Sequence, residues 1–165
     1  MNLKSRLAAI LLALMLGSAV AVAQEAETGD NVVSWTARIE PVGEGAEVDV
    51  VFETPVRAGW IVYAPDFKPA EIGPRPARVT LSSKGLAKAV GTPVSVGAAS
   101  GQGKEADGGH SYTYFSGKAT IRQRVRPDVA DKAVNGVLSG QSCYEKTGLC
   151  TLFRHSFALS APAAS

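Results

Sequence analysis

The sequence has few of the residues that bind metals: of its 165 residues, two are cysteines, two are histidines and two are methionines. Both methionines, Met1 and Met15, lie in the first 23 residues, so a methionine-rich copper site is excluded from the rest of the chain. The two histidines, His110 and His155, combine with the cysteines in no spacing known from zinc modules. We therefore predict no metal site and no cofactor.

Net charge is nearly absent as well. The chain has 17 Lys and Arg against 15 Asp and Glu, and Lys4 and Arg6 account for the difference because no acidic residue precedes Glu25. Such a balance gives no support for nucleic-acid binding or for a polybasic membrane patch. The glycine-rich stretch 101–109 follows no strand-to-helix pattern and is no phosphate loop. We predict no nucleic-acid partner.

One long hydrophobic run is present, at residues 7–20. It follows two basic residues and ends in Ala21-Val22-Ala23, the small-residue pattern that a signal peptidase accepts. The run is short for an uncleaved membrane anchor, which is the alternative. We predict a signal peptide at 1–23, a disordered lead-in at 24–30 and a periplasmic location for the rest.

Alternation of apolar and polar residues, typical of half-buried strands, recurs along residues 31–160. Turn residues separate these runs, and no helical period is found after the signal peptide. The predicted strands are 33–39, 46–52, 59–65, 77–82, 112–117, 119–125, 133–138 and 152–159. A mobile surface loop is expected at 94–109 and a polar tail at 161–165.

This pattern predicts an all-β domain, an antiparallel β-sandwich. Its apolar strand positions predict the core. The side chains expected there are Trp35, Val50, Phe52, Trp60, Ile121 and Phe157.

Cys143 and Cys150 lie at the two stems of a predicted hairpin with Gly148 in the bend, where a disulfide can span them. In an exported protein the default interpretation is a structural staple. Closing so short a loop, however, stabilises a fold by only about 2.5 kcal/mol, against about 4–5 for a loop of a hundred residues. The spacing leaves a staple and a redox site equally open.

Four fragments carry a resemblance to a known family, and they occur in this order: residues 59–63 (GWIVY), 73–79 (GPRPARV), 114–117 (YFSG) and 140–150 (GQSCYEKTGLC). Together they resemble the N-terminal periplasmic domain of the thiol:disulfide interchange protein DsbD, the disulfide-bond corrector domain. The resemblance covers essentially the whole chain after the signal peptide.

The resemblance implies an immunoglobulin-like sandwich whose Cys143–Cys150 pair cycles between dithiol and disulfide. It implies reducing equivalents that come from a thioredoxin-like domain protein or a membrane electron-transfer protein. They pass to a periplasmic disulfide isomerase or a cytochrome c maturation protein. The chain is then a component of a thiol:disulfide oxidoreductase, a protein-disulfide reductase. The alternative is a non-catalytic secreted sandwich that binds a partner and has a structural disulfide.

The resemblance also implies a cap loop that shields the redox pair. It maps onto the aromatic segment Tyr112, Tyr114, Phe115 and Ser116.

By the same resemblance, Cys150 is the partner-facing sulfur and Cys143 the resolving one. Locally, Arg154 follows Cys150 whereas Glu145 is close to Cys143, which agrees with these roles. The chain departs from the family in its wider C-x6-C spacing and in Thr151, where proline commonly follows the second cysteine. The sequence ends at residue 165, so the membrane and thioredoxin-like domains are expected to be separate proteins or absent.

Overall fold

The computed structural model of the protein describes residues 32–43, 45–83, 87–97, 101–104, 111–128 and 133–161. The predicted signal peptide and lead-in lie outside these ranges, as do residues 162–165 of the predicted tail. In the described part of the chain, no helix is long and apolar enough to cross a membrane.

Two antiparallel sheets pack face to face, and the described residues contain no α-helix. One sheet has the order β1-β2-β9-β5, with β6 also beside β9, and the other has the order β11-β10-β3-β8-β7, with β4 also beside β10. The predicted immunoglobulin-like antiparallel sandwich is confirmed. The strands are β1 (Thr36–Pro41), β2 (Val48–Pro55), β3 (Trp60–Tyr63), β4 (Arg78–Leu81), β5 (Lys88–Ala89), β6 (Val94–Ser95), β7 (Gly101–Lys104), β8 (Ser111–Phe115), β9 (Lys118–Arg126), β10 (Ala133–Tyr144) and β11 (Cys150–Ser160).

The core lies between the sheets and is built by the alternation visible in the sequence. In β9, for example, Ile121 and Val125 are buried, whereas Arg122 and Arg124 point away from the core. Successive side chains of a strand point to opposite faces, so one face of each strand joins the core. All six predicted core residues are buried in one hydrophobic cluster, which confirms the core prediction.

Strands β3 and β4 occupy one position in the sheet, end to end along the same edge of β10. Strand β3 pairs with residues 142–144 of β10, and β4 pairs with residues 136–139. The fourteen residues between them (64–77) leave the sheet and return close to where they left, as in an Ω-loop. At the return, the backbone N–H of Arg75 donates a hydrogen bond of 2.9 Å to the side-chain oxygen of Gln141.

The prediction of a surface loop over residues 94–109 is wrong for part of that segment. Val94 and Ser95 form β6 and pair with β9, and β7 pairs with β8. The glycines Gly101 and Gly103 suggested a loop, but here the missing side chains are what allow the strand to form. Tyrosine rings of β8 lie across both glycines, and a Cβ atom at either position would collide with a ring.

Candidate redox site

Cys143 and Cys150 form a disulfide between directly opposed residues of the β10–β11 hairpin. Their Cα atoms are 4.1 Å apart. The backbone N–H of Tyr144 donates to the carbonyl oxygen of Leu149 at 2.7 Å. That bond makes the two cysteines a non-hydrogen-bonded pair, the kind of antiparallel pair in which side chains lie closest together. The ladder itself therefore brings the two sulfurs together.

The hairpin turn follows the predicted position of Gly148, which has a φ of 72°. Glycine adopts this left-handed conformation without the steric penalty of a side chain. The N–H of Gly148 donates to the carbonyl oxygen of Tyr144 at 2.8 Å, and the N–H of Leu149 donates to the hydroxyl of Thr147 at 3.3 Å. These bonds hold the turn in one conformation beside the disulfide.

The base of the hairpin is anchored to the loop before β3. The N–H of Glu145 donates to the carbonyl oxygen of Gly59 at 2.9 Å. The Tyr144 ring lies 5.6 Å from the ring of Trp60, and a Cβ atom at position 59 would come within 2.7 Å of the Tyr144 ring. Gly59, at a φ of 78°, is therefore required both for its backbone conformation and for the space above it.

The two sulfur-bearing residues differ in exposure. Cys143 is 5% exposed, because β10 lies inside the sheet between β11 and β3. Cys150 begins β11, at the end of the strand order, and is exposed. Its Sγ lies 3.3 Å from the carbonyl oxygen of Gly148, so an acceptor is already in place for a Cys150 thiol after reduction.

On the outer face of this sheet, Cys143 belongs to a second apolar cluster, separate from the core. Cys143 is in register with Ile61 of β3, and the two are buried together with Tyr63. Partly buried aromatic residues pack against these three. We call the whole set the outer cluster, and its members are Ile61, Tyr63, Cys143, Phe67, Tyr112 and Tyr114.

Ring contacts connect the aromatic members of the outer cluster. The ring of Tyr63 lies 5.3 Å from that of Tyr112 and 6.2 Å from that of Phe67. Tyr112 and Tyr114 are 6.3 Å apart, and each ring also lies across a glycine of β7. Edge-to-face and tilted pairs at these distances are favourable. The cluster therefore extends from the disulfide across β3 to β8.

The structure separates the four residues of the predicted cap. Tyr112 and Tyr114 belong to the outer cluster with Cys143. Phe115 is buried in the core, opposite Val62, on the other face of the sheet. Ser116 is exposed in the turn between β8 and β9.

Three residues of the outer cluster, Ile61, Tyr63 and Phe67, were missed by the sequence analysis as neighbours of the cysteines. A signal for two of them was present. Residues 59–64 are apolar at both odd and even positions, so both faces of a strand there must pack against other residues. One side is the core, and the other is the outer cluster.

Fold and site together define a class: a β-sandwich with a cysteine pair on its outer surface, one sulfur exposed and the other buried. Among solved structures, the chain is similar to the N-terminal periplasmic domain of ScsB from Proteus mirabilis, with a TM-score of 0.51 and 15% identity. That match covers 79% of this chain and 47% of the ScsB chain, so the chain spans about half of that protein domain's length.

A second similar structure is the reduced N-terminal domain of DsbD from Neisseria meningitidis, with a TM-score of 0.44 and 16% identity. This match covers 77% of this chain and 85% of the DsbD domain chain. No protein-family model matches the sequence, and a search of curated proteins finds no match. The predicted resemblance is confirmed at the level of the fold.

Proposed function

We propose that the chain is a periplasmic thiol–disulfide exchange module that works through Cys143 and Cys150. One observation carries the proposal: the two cysteines of a single disulfide lie in opposite environments, one exposed at a sheet edge and one buried in an apolar cluster. Exchange depends on which sulfur a thiolate can reach. The fold, similar to a periplasmic domain, and the predicted signal peptide support the location.

The direction of attack favours Cys150. A thiolate displaces a sulfur in line, so it approaches from the side opposite the leaving sulfur. For attack on Cys143 that side is the one towards β3, where Ile61 stands in register with Cys143. For attack on Cys150 it is the outer side of β11, at the end of the strand order.

The exchange balances without a cofactor. A partner thiolate attacks Sγ of Cys150, the Cys143–Cys150 bond breaks, and Cys143 leaves as a thiolate that takes up a proton. The partner's second thiol loses its proton and attacks the partner's own sulfur in the mixed disulfide. Cys150 is released as a thiolate and takes up a proton, the partner becomes a disulfide, and this chain becomes a dithiol. In the reverse sense, Cys150 attacks a substrate disulfide and Cys143 resolves it.

The outer cluster supplies the shield that the resemblance implied. Tyr112 and Tyr114 form it together with Tyr63 and Phe67 on the same face, whereas Phe115 has a packing role in the core. By keeping solvent from Cys143, this cover directs incoming thiols to the exposed sulfur. Its tyrosines combine a large apolar ring with a polar hydroxyl, which suits a half-buried surface.

The proposed partners follow from the sequence resemblance. A thioredoxin-like domain protein or a membrane electron-transfer protein reduces the pair, and a periplasmic disulfide isomerase or cytochrome c maturation protein accepts the electrons. The hairpin geometry supports a working pair over a staple. The disulfide joins residues that the β10–β11 ladder already holds opposite each other, so it removes little further chain freedom.

Trapping of a mixed disulfide tests the proposal. The variants Cys143→Ser and Cys150→Ser are expressed with export and compared on non-reducing gels. Cys143→Ser lacks the resolving thiol and accumulates a thiol-sensitive adduct with a thioredoxin-like protein, whereas Cys150→Ser traps much less. Equal trapping by both variants contradicts the assigned roles.

The reduction potential of the wild-type pair provides the second measurement. A potential in the range of known exchange proteins, above about −300 mV, supports the proposal. A lower value, with no trapping by either variant, identifies a structural disulfide in a binding module instead.

A further inference from the structure

Two exposed leucines flank the exposed sulfur. The described residues include five large apolar side chains with substantial exposure, and Leu149 (46%) and Leu152 (62%) are two of them. They lie one residue before and two residues after Cys150 in the chain. The other three are elsewhere in the sequence and are Ile72, Val94 and Val96.

Both leucines are held in place by backbone structure. Leu149 accepts the N–H of Tyr144 through its carbonyl oxygen and donates its own N–H to Thr147. Leu152 lies in β11, in register with Gln141. Leu152 is two positions after Cys150 along the strand, so both side chains point to the same face of the sheet. Their exposure is therefore a fixed feature of the folded hairpin.

Charged side chains lie around these leucines but not between them. Glu145 and Lys146 in the turn are both exposed and have opposite sign. Arg154 is the next residue of β11 on this face after Leu152, and Arg78 of β4 lies on the same face across Ser139. Exposed Arg75 is joined through its backbone to Gln141, the residue in register with Leu152. The surface beside Cys150 is thus apolar at its centre, with charges of both signs and an excess of basic side chains at its rim.

We propose that Leu149 and Leu152 select folded protein thiols, namely partners whose reactive cysteine is surrounded by apolar surface, over small-molecule thiols. This inference rests on the exchange function proposed above. In a disulfide the two Cα atoms are typically about 4.4–6.8 Å apart, so a partner bonded to Cys150 must contact side chains beside it. A folded partner buries both leucines at this moment, and a small thiol does not.

Parallel rate measurements test the selection. The oxidised mature protein is reduced by dithiothreitol, as a small thiol, and by reduced thioredoxin, as a folded protein thiol with an apolar surround. Burial of one leucine contributes enough free energy to change a rate by about tenfold or more. Leu149→Ser and Leu152→Ser are each expected to lower the thioredoxin rate by about that factor. Their dithiothreitol rates stay within about twofold of the wild type, because no leucine is buried in that reaction.

The matched control is Val94→Ser, an exposed apolar side chain on β6 in the other sheet, which leaves both rates unchanged. Thioredoxin rates that stay at the wild-type level in both leucine variants overturn the inference. So does a wild-type protein that dithiothreitol reduces and thioredoxin does not. Failure of both reductants to open the disulfide rejects the proposed exchange function itself, which separates the two conclusions.

Discussion

The two sheets of the sandwich present different outer faces. On the sheet containing β1, β2 and β9, the outer face is a network of ion pairs centred on Asp49, whose carboxylate accepts two hydrogen bonds from Arg124 at 3.0 and 3.2 Å. Further pairs join Arg126 to Glu47 and Lys118 to Glu53. On the other sheet, the outer face carries the disulfide and the aromatic outer cluster.

A β-sandwich needs one apolar face per sheet, and the remaining faces are free to be polar. The charged outer face meets that expectation and contributes solubility. The aromatic outer face exceeds what the fold requires, and it coincides with the cysteine pair. The extra apolar surface on the outer face of this sheet therefore indicates, independently of the cysteines, where we propose the functional site.

On both faces of the second sheet, aromatic rings pack across glycines of a neighbouring strand. Inside, the rings of Phe157 and Phe153 lie across Gly136 and Gly140 of the neighbouring strand. Outside, Tyr114 and Tyr112 lie across the two glycines of β7. Phenylalanine is used where the ring is enclosed, and tyrosine where its hydroxyl can reach water.

The largest expected difference is between these inner and outer aromatic residues. Phe157→Ala removes a buried ring that packs edge-on against Phe52 at 5.0 Å, and it lowers the free energy of unfolding by about 3–5 kcal/mol. Tyr112→Ala, on the outer face, lowers it by less because that side chain is only partly buried. Urea denaturation of the oxidised proteins measures both.

Only the outer substitution changes the reactivity of the disulfide. Under the proposed shielding of Cys143, Tyr112→Ala is expected to speed reduction by dithiothreitol because the outer cluster loses one of its rings. Phe157→Ala, measured where it remains folded, leaves this rate unchanged. A larger stability loss for Tyr112→Ala than for Phe157→Ala contradicts the contrast between the two faces.

The next effect concerns the charged face. The side chain of Asp49 is 7% exposed and lies between Arg122 and Arg124. The carboxylate raises the pKa of Arg124 through their hydrogen bond and charge. Asp49→Asn removes the negative charge that these guanidinium groups share, and we expect a loss of about 1–3 kcal/mol in the free energy of unfolding.

Glu40→Gln is the matched control, since Glu40 pairs with Arg38 at a site where both side chains are about half exposed. Its effect is expected to stay within about 0.5 kcal/mol. Equal losses for the two variants in thermal unfolding argue against a special role for Asp49.

Alternation allowed much of the fold to be predicted, because in strands such as β9 every second residue is buried and the residues between are more exposed. The same principle explains what the sequence did not reveal about the cap. Tyr114 and Phe115 are consecutive strand residues, so they point to opposite faces and only one can lie on the same face as Cys143.

Strand β7 was not predicted, since Gly101 and Gly103 favour a strand only with tyrosines packed across them. That contact depends on β8, and propensity along the chain does not record it.

A smaller effect is expected next to the cysteine pair. Ser142 is fully buried on the inner face of β10, and its hydroxyl has no hydrogen-bond partner among the described residues. An unsatisfied buried hydroxyl is unfavourable, so Ser142→Ala raises the free energy of unfolding by up to about 1 kcal/mol. Ser139→Ala, on the outer face of the same strand, serves as the control with no gain. A loss of stability in Ser142→Ala contradicts the prediction.

The smallest expected effect is a pH dependence on the charged face. Hydrogen bonds from Lys118 (2.8 Å) and Arg38 lower the pKa of Glu53 below its ordinary value. A carboxyl group whose pKa is lowered by folding stabilises the fold above its unfolded pKa, and this contribution is lost as the pH falls through the folded pKa. Glu53→Gln therefore has a lower Tm than the wild type near about pH 7, and this difference in Tm closes towards about pH 3.

Because Glu53 pairs with exposed partners, about 1 M salt also narrows the gap in Tm between the two proteins. A gap that stays constant over this pH range contradicts the assigned shift in pKa, whereas a gap that resists salt contradicts its origin in exposed ion pairs.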